Sequence, residues 1–593
     1  MQSCCLQNLS CSFLNSITFY HPILSGLTRN WQINRQMYHI LSRNSYFDKS
    51  KCISLSAVRH YEIFPRLVNQ DTFNLKKDAI DMFNAAVQAV HPKTMIHNML
   101  KYNASTSELR VEEKVYNLSH NVYVVGLGKA VTGMARVVED MLSQHIVKGI
   151  ITIPKGVRQE MARLHLHELL LSENSKIEVY EGAECREVDE SCHNAAKAIS
   201  NMVEKLGEED LLIVLCSVGG SVLCPSPQPP ITLQDLRDVT RLLQNNGASV
   251  REINILRKNI EILKGGGLAL MAKPAQVLSL TLLSVIGDTA DLIASGPTCP
   301  TQPTPFHCIE ILKRLHILDQ TPANIRRFLD RECKRLENAA TYLVIDPVAE
   351  KTKYDATWKH VQNIVVGNNS IACEAAANRA AALGYVPIIL TTEMTGEARK
   401  IGSLYARLAK FIMICFDKKA STEPNTELPI LEAALVAEGI RKQWINCICQ
   451  KIDKARNSDR DICVIVGGNT FVNVSGTGMG GKNMEAAISV TMQLQEEFRA
   501  KPLSVTETPM CFLSCDTDGS DGNTRVAGAV VDQDFLQKVS ASGIDATKYL
   551  DNNDSFTFFC QVNEGQNLVP MKVTGTNVMD VAILLVKRPS QED

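Results

Sequence analysis

Ten residues, Gly476-Thr477-Gly478-Met479-Gly480-Gly481-Lys482-Asn483-Met484-Glu485, place four glycines ahead of a cation at the start of a helical pattern. Glycine lets a backbone turn tightly and approach a ligand, and helix N-terminal amides favour anions, so the stretch reads as an anion cradle with phosphate the expected anion. Gly478, Gly480 and Gly481 are its expected backbone contacts and Lys482 its neutralising charge. Two other loops carry similar ingredients. Gly126-Leu127-Gly128-Lys129-Ala130 follows a strand-like run, and Cys216-Ser217-Val218-Gly219-Gly220-Ser221 follows another, with Ser217 and Ser221 adding hydroxyls to Gly219 and Gly220. The first of these has neither the glycine spacing and hydroxyl of the Walker loop nor the third glycine of the dinucleotide fingerprint. A tight strand-to-helix turn with an exposed lysine is therefore its alternative reading.

A fourth loop is acidic. Asp516-Thr517-Asp518-Gly519-Ser520-Asp521 sets three carboxylates within six residues, hard oxygen donors able to hold Mg²⁺ beside phosphates; a solvated acidic turn is the alternative. Phosphate cradles, cations and a magnesium site are the parts that phosphoryl transfer needs, because that chemistry is mostly positioning and charge compensation.

The elements that must hold these loops follow from hydrophobic period. Asn121–Val125, Ile150–Ile153, Leu211–Leu215 and Gln276–Leu283 are apolar runs of strand length, alternating with helical patterns such as Asp189–Leu206 and Ile231–Leu243. That alternation predicts a doubly wound parallel sheet, with ligands at the carboxyl ends of the strands. Upstream, a helix starting near Asp71 carries Ala79, Met82, Phe83, Ala86, Val87 and Val90 at three- and four-residue steps and stops before Pro92. A second α/β block is expected from Asn363, opening with strand Ile364–Val366 and a helix capped at Gly367-Asn368-Asn369-Ser370. Around the opening loop the pattern reads strand Ile462–Val466, turn Gly467–Asn469, strand Phe471–Val474, glycine loop, helix. Arg257-Lys258 with Lys264-Gly265-Gly266-Gly267 reads as a basic, flexible patch, and Lys418–Glu427 as a polar surface loop.

At 593 residues the chain calls for more than one domain. Its formal net charge of −2 gives no reason to expect nucleic acid or an anionic membrane as a partner, and no run of eighteen apolar residues is long enough to span a bilayer. Nineteen cysteines form no CxxC pair or repeated spacing, a usage that fits reduced thiols better than a zinc or disulfide framework. Residues 1–60 stand apart: one acid, Asp48, against Arg29, Arg35, Arg43, Lys49, Lys51 and Arg59, in a Ser/Asn-rich context. This suits a mitochondrial transit segment, with a cytoplasmic protein carrying a disordered tail as the alternative.

Taken in order, the loops resemble the class II glycerate 2-kinases, the family with a MOFRL carboxyl-terminal domain. The resemblance runs from about residue 72 to 588 through Gly126–Ala130, Lys264–Ala269, Ile293–Thr298, Gly396–Arg399, Thr517–Gly519, Ala527–Asp532 and Thr576–Val578. It implies two α/β domains, an N-terminal Rossmann-like domain over 72–345 and a C-terminal domain with the MOFRL region over 360–593, with the active site in the cleft between. It implies transfer of the γ-phosphate of ATP, with Mg²⁺, to the 2-hydroxyl of D-glycerate. By the same resemblance Lys129 holds phosphate or the substrate carboxylate, Lys482 neutralises the transferring phosphoryl group, Asp518 orients the metal or the nucleophile, and Asn577 positions substrate.

Departures from the family pattern cluster in these loops. Val218 stands for a glycine, Ser284 for an aspartate, Asn469 for a glutamate, Lys482 for an arginine, Met484 for a glutamine, Glu261 for a serine and Asp516 for a glycine. A β-branched Val218 is strained if that position needs φ > 0, and Lys482 gives up the bidentate fork of arginine. Two readings follow. Either Asp516 or Glu261 supplies a carboxylate in place of the missing acids and kinase activity survives, with Asp521 and Asn368 as further substrate or metal candidates; or the protein keeps the fold and ligand binding without turnover.

Overall fold

Apolar runs alternating with helices from residue 122 onward assemble into one parallel sheet. The computed structural model describes residues 70–183, 187–287, 289–301, 304–342, 356–416, 427–499 and 508–588, all within one unit, Pro65–Asp593. The segment 1–60, Asp288 and most of the expected polar loop at 418–427 lie outside the described residues. A small antiparallel sheet comes first, from β1 (Leu100–Asn103), β2 (Glu108–Val111) and β3 (Lys114–Asn117). The parallel sheet follows, built from β4 (Val122–Leu127), β5 (Ile146–Pro154), β6 (Ile177–Gly182), β7 (Leu211–Cys216), β8 (Gln276–Leu282) and β9 (Val361–Gly367) in the order β6-β5-β4-β7-β8-β9. All six residues of β7 are buried, as an unbroken apolar run covered on both faces requires.

The strand order reverses between β4 and β7, which pair directly and in parallel. At such a switch point neighbouring loops leave in opposite directions and open a crevice. The Gly126–Lys129 and Ser217–Ser221 loops both emerge there.

β9 corrects one expectation. The strand read as opening the second block pairs instead with β8, closing the edge of the first sheet. The second sheet is β10 (Tyr385–Glu397), β11 (Asp461–Phe471), β12 (Met510–Asp516), β13 (Val526–Asp532), β14 (Leu568–Pro570) and β15 (Asp580–Val586), in the order β10-β11-β15-β12-β13-β14. It is mixed: β10 and β11 are parallel, whereas β15 enters antiparallel between β11 and β12. β11 runs straight through Gly467-Gly468-Asn469, where a turn was expected, because β10 and β15 hydrogen-bond to it there on both sides. The expected strand at 471–474 is absent as such: Val474 is 78% exposed and the chain beyond Phe471 is irregular.

Helix Gln70–Ala89 packs its buried stripe, Leu75, Ala79, Met82, Phe83 and Ala86, against β12, β15 and helix Asn369–Ala382. Burying each of the larger side chains, Leu75, Met82 and Phe83, contributes about 1.5–3 kcal/mol. A single apolar cluster continues from this helix into both large sheets, including Val122, Ile213 and Leu280 of the first and Ile465, Leu513 and Ile583 of the second. Among the described residues no helix is long and apolar enough to cross a membrane.

Candidate active site

The switch-point loops are sewn to each other. Lys129 N–H donates to Val218 O at 2.9 Å, Ser217 N–H to Leu127 O at 3.0 Å, and Ala130 N–H to Ser217 Oγ at 3.0 Å. Gly128 N–H donates to Thr152 O at 3.1 Å, and at its φ of +140° a Cβ would run into Ser217. These amides and the Ser217 hydroxyl are therefore spent within the protein, and Gly126 is packed inside β4 against Ile151. Gly126 and Gly128, read as phosphate contacts, are sites of close packing. What the loop offers is the Lys129 side chain, 54% exposed. Val218 is unstrained, since the left-handed conformation in this turn falls on Gly219, at φ +88°. Gly220 is buried against Ala294 and the backbone of Leu127, and Ser221 Oγ lies 2.9 Å from Ser295 Oγ.

Across from Lys129 stands the turn that ends β12. The Lys129 Nζ is 4.0 Å from Asp518 Oδ2, which also accepts Asn577 Nδ2–H at 3.1 Å. Thr517 holds the turn in place: its hydroxyl donates to Met579 O at 2.8 Å and accepts Val578 N–H at 2.9 Å, fastening the Asp518 turn to the Asn577 loop. Burial, reinforced by the neighbouring Asp516 charge, pushes the Asp518 carboxyl up to about 6, against the pull of Lys129. Three residues from three distant stretches thus meet at one point.

Lys482 sits beside them with its own shell. Its Nζ donates to Asn469 Oδ1 at 2.6 Å and pairs with Asp580 Oδ2 at 3.1 Å and Asp516 Oδ2 at 3.4 Å. Burial would lower the ammonium pKa, but Asp580 and Asp516 together raise it, so the cation is firmly held. Asp516 also accepts Asp518 N–H at 3.1 Å, tying this group to the Lys129–Asp518 pair. Asp580, fully enclosed and pushed up to about 7 chiefly by burial, went unrecognised in the sequence; its place three residues after Asn577 was the available signal.

The glycine loop is filled by the protein itself. Gly478 N–H donates to Asn552 O at 2.9 Å, Gly480 N–H to Asn523 Oδ1 at 3.0 Å, Gly481 N–H to Ser555 Oγ at 3.3 Å and Met479 N–H to Asp554 Oδ1 at 3.0 Å. Gly476, Gly478 and Gly480 allow close approach to the 552–555 segment and Gly481 to Asp521, which any Cβ would obstruct. The anion at the N-terminus of helix Lys482–Arg499 is the carboxylate of Asp521, accepting Met484 N–H at 2.8 Å and Asn483 N–H at 3.2 Å. Asp521 thus caps this helix, while Asp516 and Asp518 face the two lysines. Among the described residues no three His, Cys, Asp or Glu side chains are grouped to hold a metal ion.

The other candidates lie elsewhere. Asn368 caps helix Asn369–Ala382 by accepting Ile371 N–H at 2.9 Å. Glu261 is buried in an ion pair with Lys264 at 2.5 Å and accepts Ser226 N–H at 3.0 Å. Lys258 pairs with Asp291 at 2.5 Å, so two cations of the expected flexible basic patch, Lys258 and Lys264, are buried and held in ion pairs. Met484 is fully buried, and Ser284, beyond the end of β8, is buried with its hydroxyl lacking a hydrogen-bond partner among the described residues.

Residues 78–330 match a domain of unknown function, DUF4147, and residues 462–580 match the MOFRL family. The chain is 37% identical over 511 residues to the glycerate kinase of Rattus norvegicus, covering 86% of this chain and 93% of that protein. It is 29% identical over 515 residues to the glycerate 2-kinase of Pyrococcus horikoshii, covering 86% and 98%. The crystal structure of a glycerate kinase from Thermotoga maritima superposes with a TM-score of 0.63 at 26% identity, covering 87% of this chain and 100% of that one. One matched segment supplies Lys129 and the other Lys482, Asp518 and Asn577, and with similarity extending over nearly the full length of these relatives the chain belongs to the MOFRL-type glycerate kinase family.

Proposed function

We propose that this protein transfers the γ-phosphate of ATP to the 2-hydroxyl of D-glycerate, giving 2-phosphoglycerate. The observation that carries the reading is the meeting of Lys129, at the switch point of the parallel sheet, with Asp518 and Asn577 of the second sheet. Lys129 is the accessible cation and compensates charge on the transferring phosphoryl group; Lys482, held between Asp516 and Asp580, supplies a second positive charge at a fixed place. Asn577 keeps the Asp518 carboxylate in one orientation and positions the attacking hydroxyl beside it.

The residues fit a magnesium ion. Asp518 and Asp516 are hard oxygen donors on one turn, and the Asp516 charge that raises the Asp518 pKa is a repulsion that a divalent cation relieves. With only two protein carboxylates, nucleotide phosphates would complete the shell, as is usual for Mg²⁺ in phosphotransfer sites. Held by Asp518 and Asp516, such an ion would supply positive charge to the nucleotide phosphates.

The test is ATP-dependent phosphorylation of D-glycerate by the full chain, with the product identified by its phosphate position and with Lys129→Ala and Asp518→Asn as controls. Turnover that depends on glycerate and is lost in both controls supports the reading. Absence of turnover, with ATP or glycerate still raising the melting temperature, would make the protein a binder without catalysis.

A further inference from the structure

Arg257 is a charge left over by the site as described. It lies in the last turn of helix Val250–Ile260, partly buried and partly open to solvent. Its cationic neighbours are neutralised: Lys258 by Asp291 and Lys264 by Glu261, each at 2.5 Å. Glu261, the acid nearest Arg257 in sequence, is spent on Lys264 Nζ and Ser226 N–H. Among the described residues the Arg257 side chain has no hydrogen bond and no ion pair, its backbone carbonyl alone accepting Glu261 N–H. Burial pushes its guanidinium pKa down, with the Glu261 charge opposing. A desolvated cation without a counter-ion is costly, and an incoming anion removes that cost.

The surroundings connect Arg257 to the active site. One turn earlier on the same helix, Asn254 Oδ1 accepts the Ser295 hydroxyl at 2.9 Å, and Ser295 Oγ lies 2.9 Å from Ser221 Oγ. Ser221 belongs to the turn whose Gly219 abuts the Lys129 side chain. A line of polar groups thus runs from Lys129 along the switch-point crevice to the helix of Arg257.

We propose that Arg257 binds the carboxylate of the small acid substrate, with the Ser221–Ser295 hydroxyl pair beside it. The proposal rests on the kinase reading above and names the group that selects an acid over a neutral alcohol. A planar guanidinium presents two parallel N–H donors matched to a carboxylate, whereas Lys129 and Lys482, the point charges suited to phosphoryl oxygens, are gathered at Asp518.

The experiment compares the full wild-type chain with Arg257→Gln and Arg257→Lys. Arg257→Gln raises KM for D-glycerate by about 30-fold or more, the loss of a charge-assisted pair, while KM for ATP stays within about twofold. The preference for glycerate over glycerol as acceptor shrinks in parallel, and Arg257→Lys falls between the two. An unchanged glycerate KM overturns the proposal, and so does a rise confined to ATP, which would make Arg257 a nucleotide-phosphate contact. If the wild type does not phosphorylate glycerate, the kinase reading fails, and thermal shifts with D-glycerate, lactate and tartrate read Arg257 separately. Stabilisation of the wild type that disappears in Arg257→Gln sustains carboxylate binding; no stabilisation, or equal stabilisation in both, overturns it. Since Arg257 orphans no described partner when replaced, Arg257→Gln should fold; if it does not, Arg257→Lys carries each comparison.

Discussion

The carboxylate of Asp521 accepts the backbone N–H of Met484 at 2.8 Å, so the helix that carries Lys482 begins on an anion the protein supplies. Asp521→Ala leaves first-turn amides without an acceptor in a buried place, costing about 1–3 kcal/mol. A Tm lower by several degrees is expected, together with reduced turnover, because Lys482 sits on the first residue of that helix. An unchanged melting curve would mean the cap is dispensable.

Lys129→Ala separates chemistry from folding. Its side chain is half-exposed and its distance to Asp518 is at the outer limit of an ion pair, so the Tm should not move. The rate of phosphoryl transfer should fall by roughly two to three decades, the loss of one preorganised charge contact. A variant with full kcat would remove Lys129 from the mechanism.

Asp518 sets the acid limb of the pH profile. With burial and Asp516 raising its carboxyl to about 6, the group is increasingly protonated as pH falls below that value and can then neither orient a metal nor serve as an anion. Below about pH 6 kcat/KM should drop about tenfold per pH unit, while Asp518→Asn should be slow and lose the Asp518 part of that limb, leaving only what Asp580, pushed up to about 7 beside Lys482, contributes. A limb near pH 4 in the wild type would show that the carboxylate titrates as an ordinary aspartate.

Ser284 bears a buried hydroxyl without a hydrogen-bond partner among the described residues. Ser284→Ala removes an unsatisfied polar group at little steric change, so stability should be unchanged or raised by up to about 1 kcal/mol. A clear loss in thermal or chemical unfolding would reveal a partner for that hydroxyl, such as a bound water.

The parallel sheet was legible because its information is local: β4, β7 and β8 are uninterrupted apolar runs, each followed by a Gly/Ser-rich loop. Lys129, Asp518 and Asn577, singled out from their loops and from the family resemblance, come together in the fold. The role of Gly478–Gly481 was not legible, because the acceptors for its amides lie far along the chain, at Asn523 and at Asn552–Ser555, and only the fold brings them near. The same holds for Asp521, whose task depends on a helix that starts at Lys482, and for β9, whose sheet depends on pairing with β8 rather than on its neighbours in sequence. The insertion of β15 between β11 and β12 is equally non-local.

Helix Gln70–Ala89 precedes the whole parallel sheet in sequence, yet its partners belong to the second half of the chain. Tyr385 donates its hydroxyl to Asp78 at 2.7 Å, Lys76 pairs with the fully buried Asp532 at 2.9 Å, and Met82 Sδ lies 3.7 Å from Cys463 Sγ. On the ribosome this apolar stripe emerges long before strands β12 and β13 are made, an interval on the order of a minute at roughly 5–20 residues per second. The nascent chain must therefore carry an uncovered hydrophobic helix throughout synthesis of the first sheet, which makes that helix a natural client for chaperones, and a fragment starting at the second sheet would lack its covering layer.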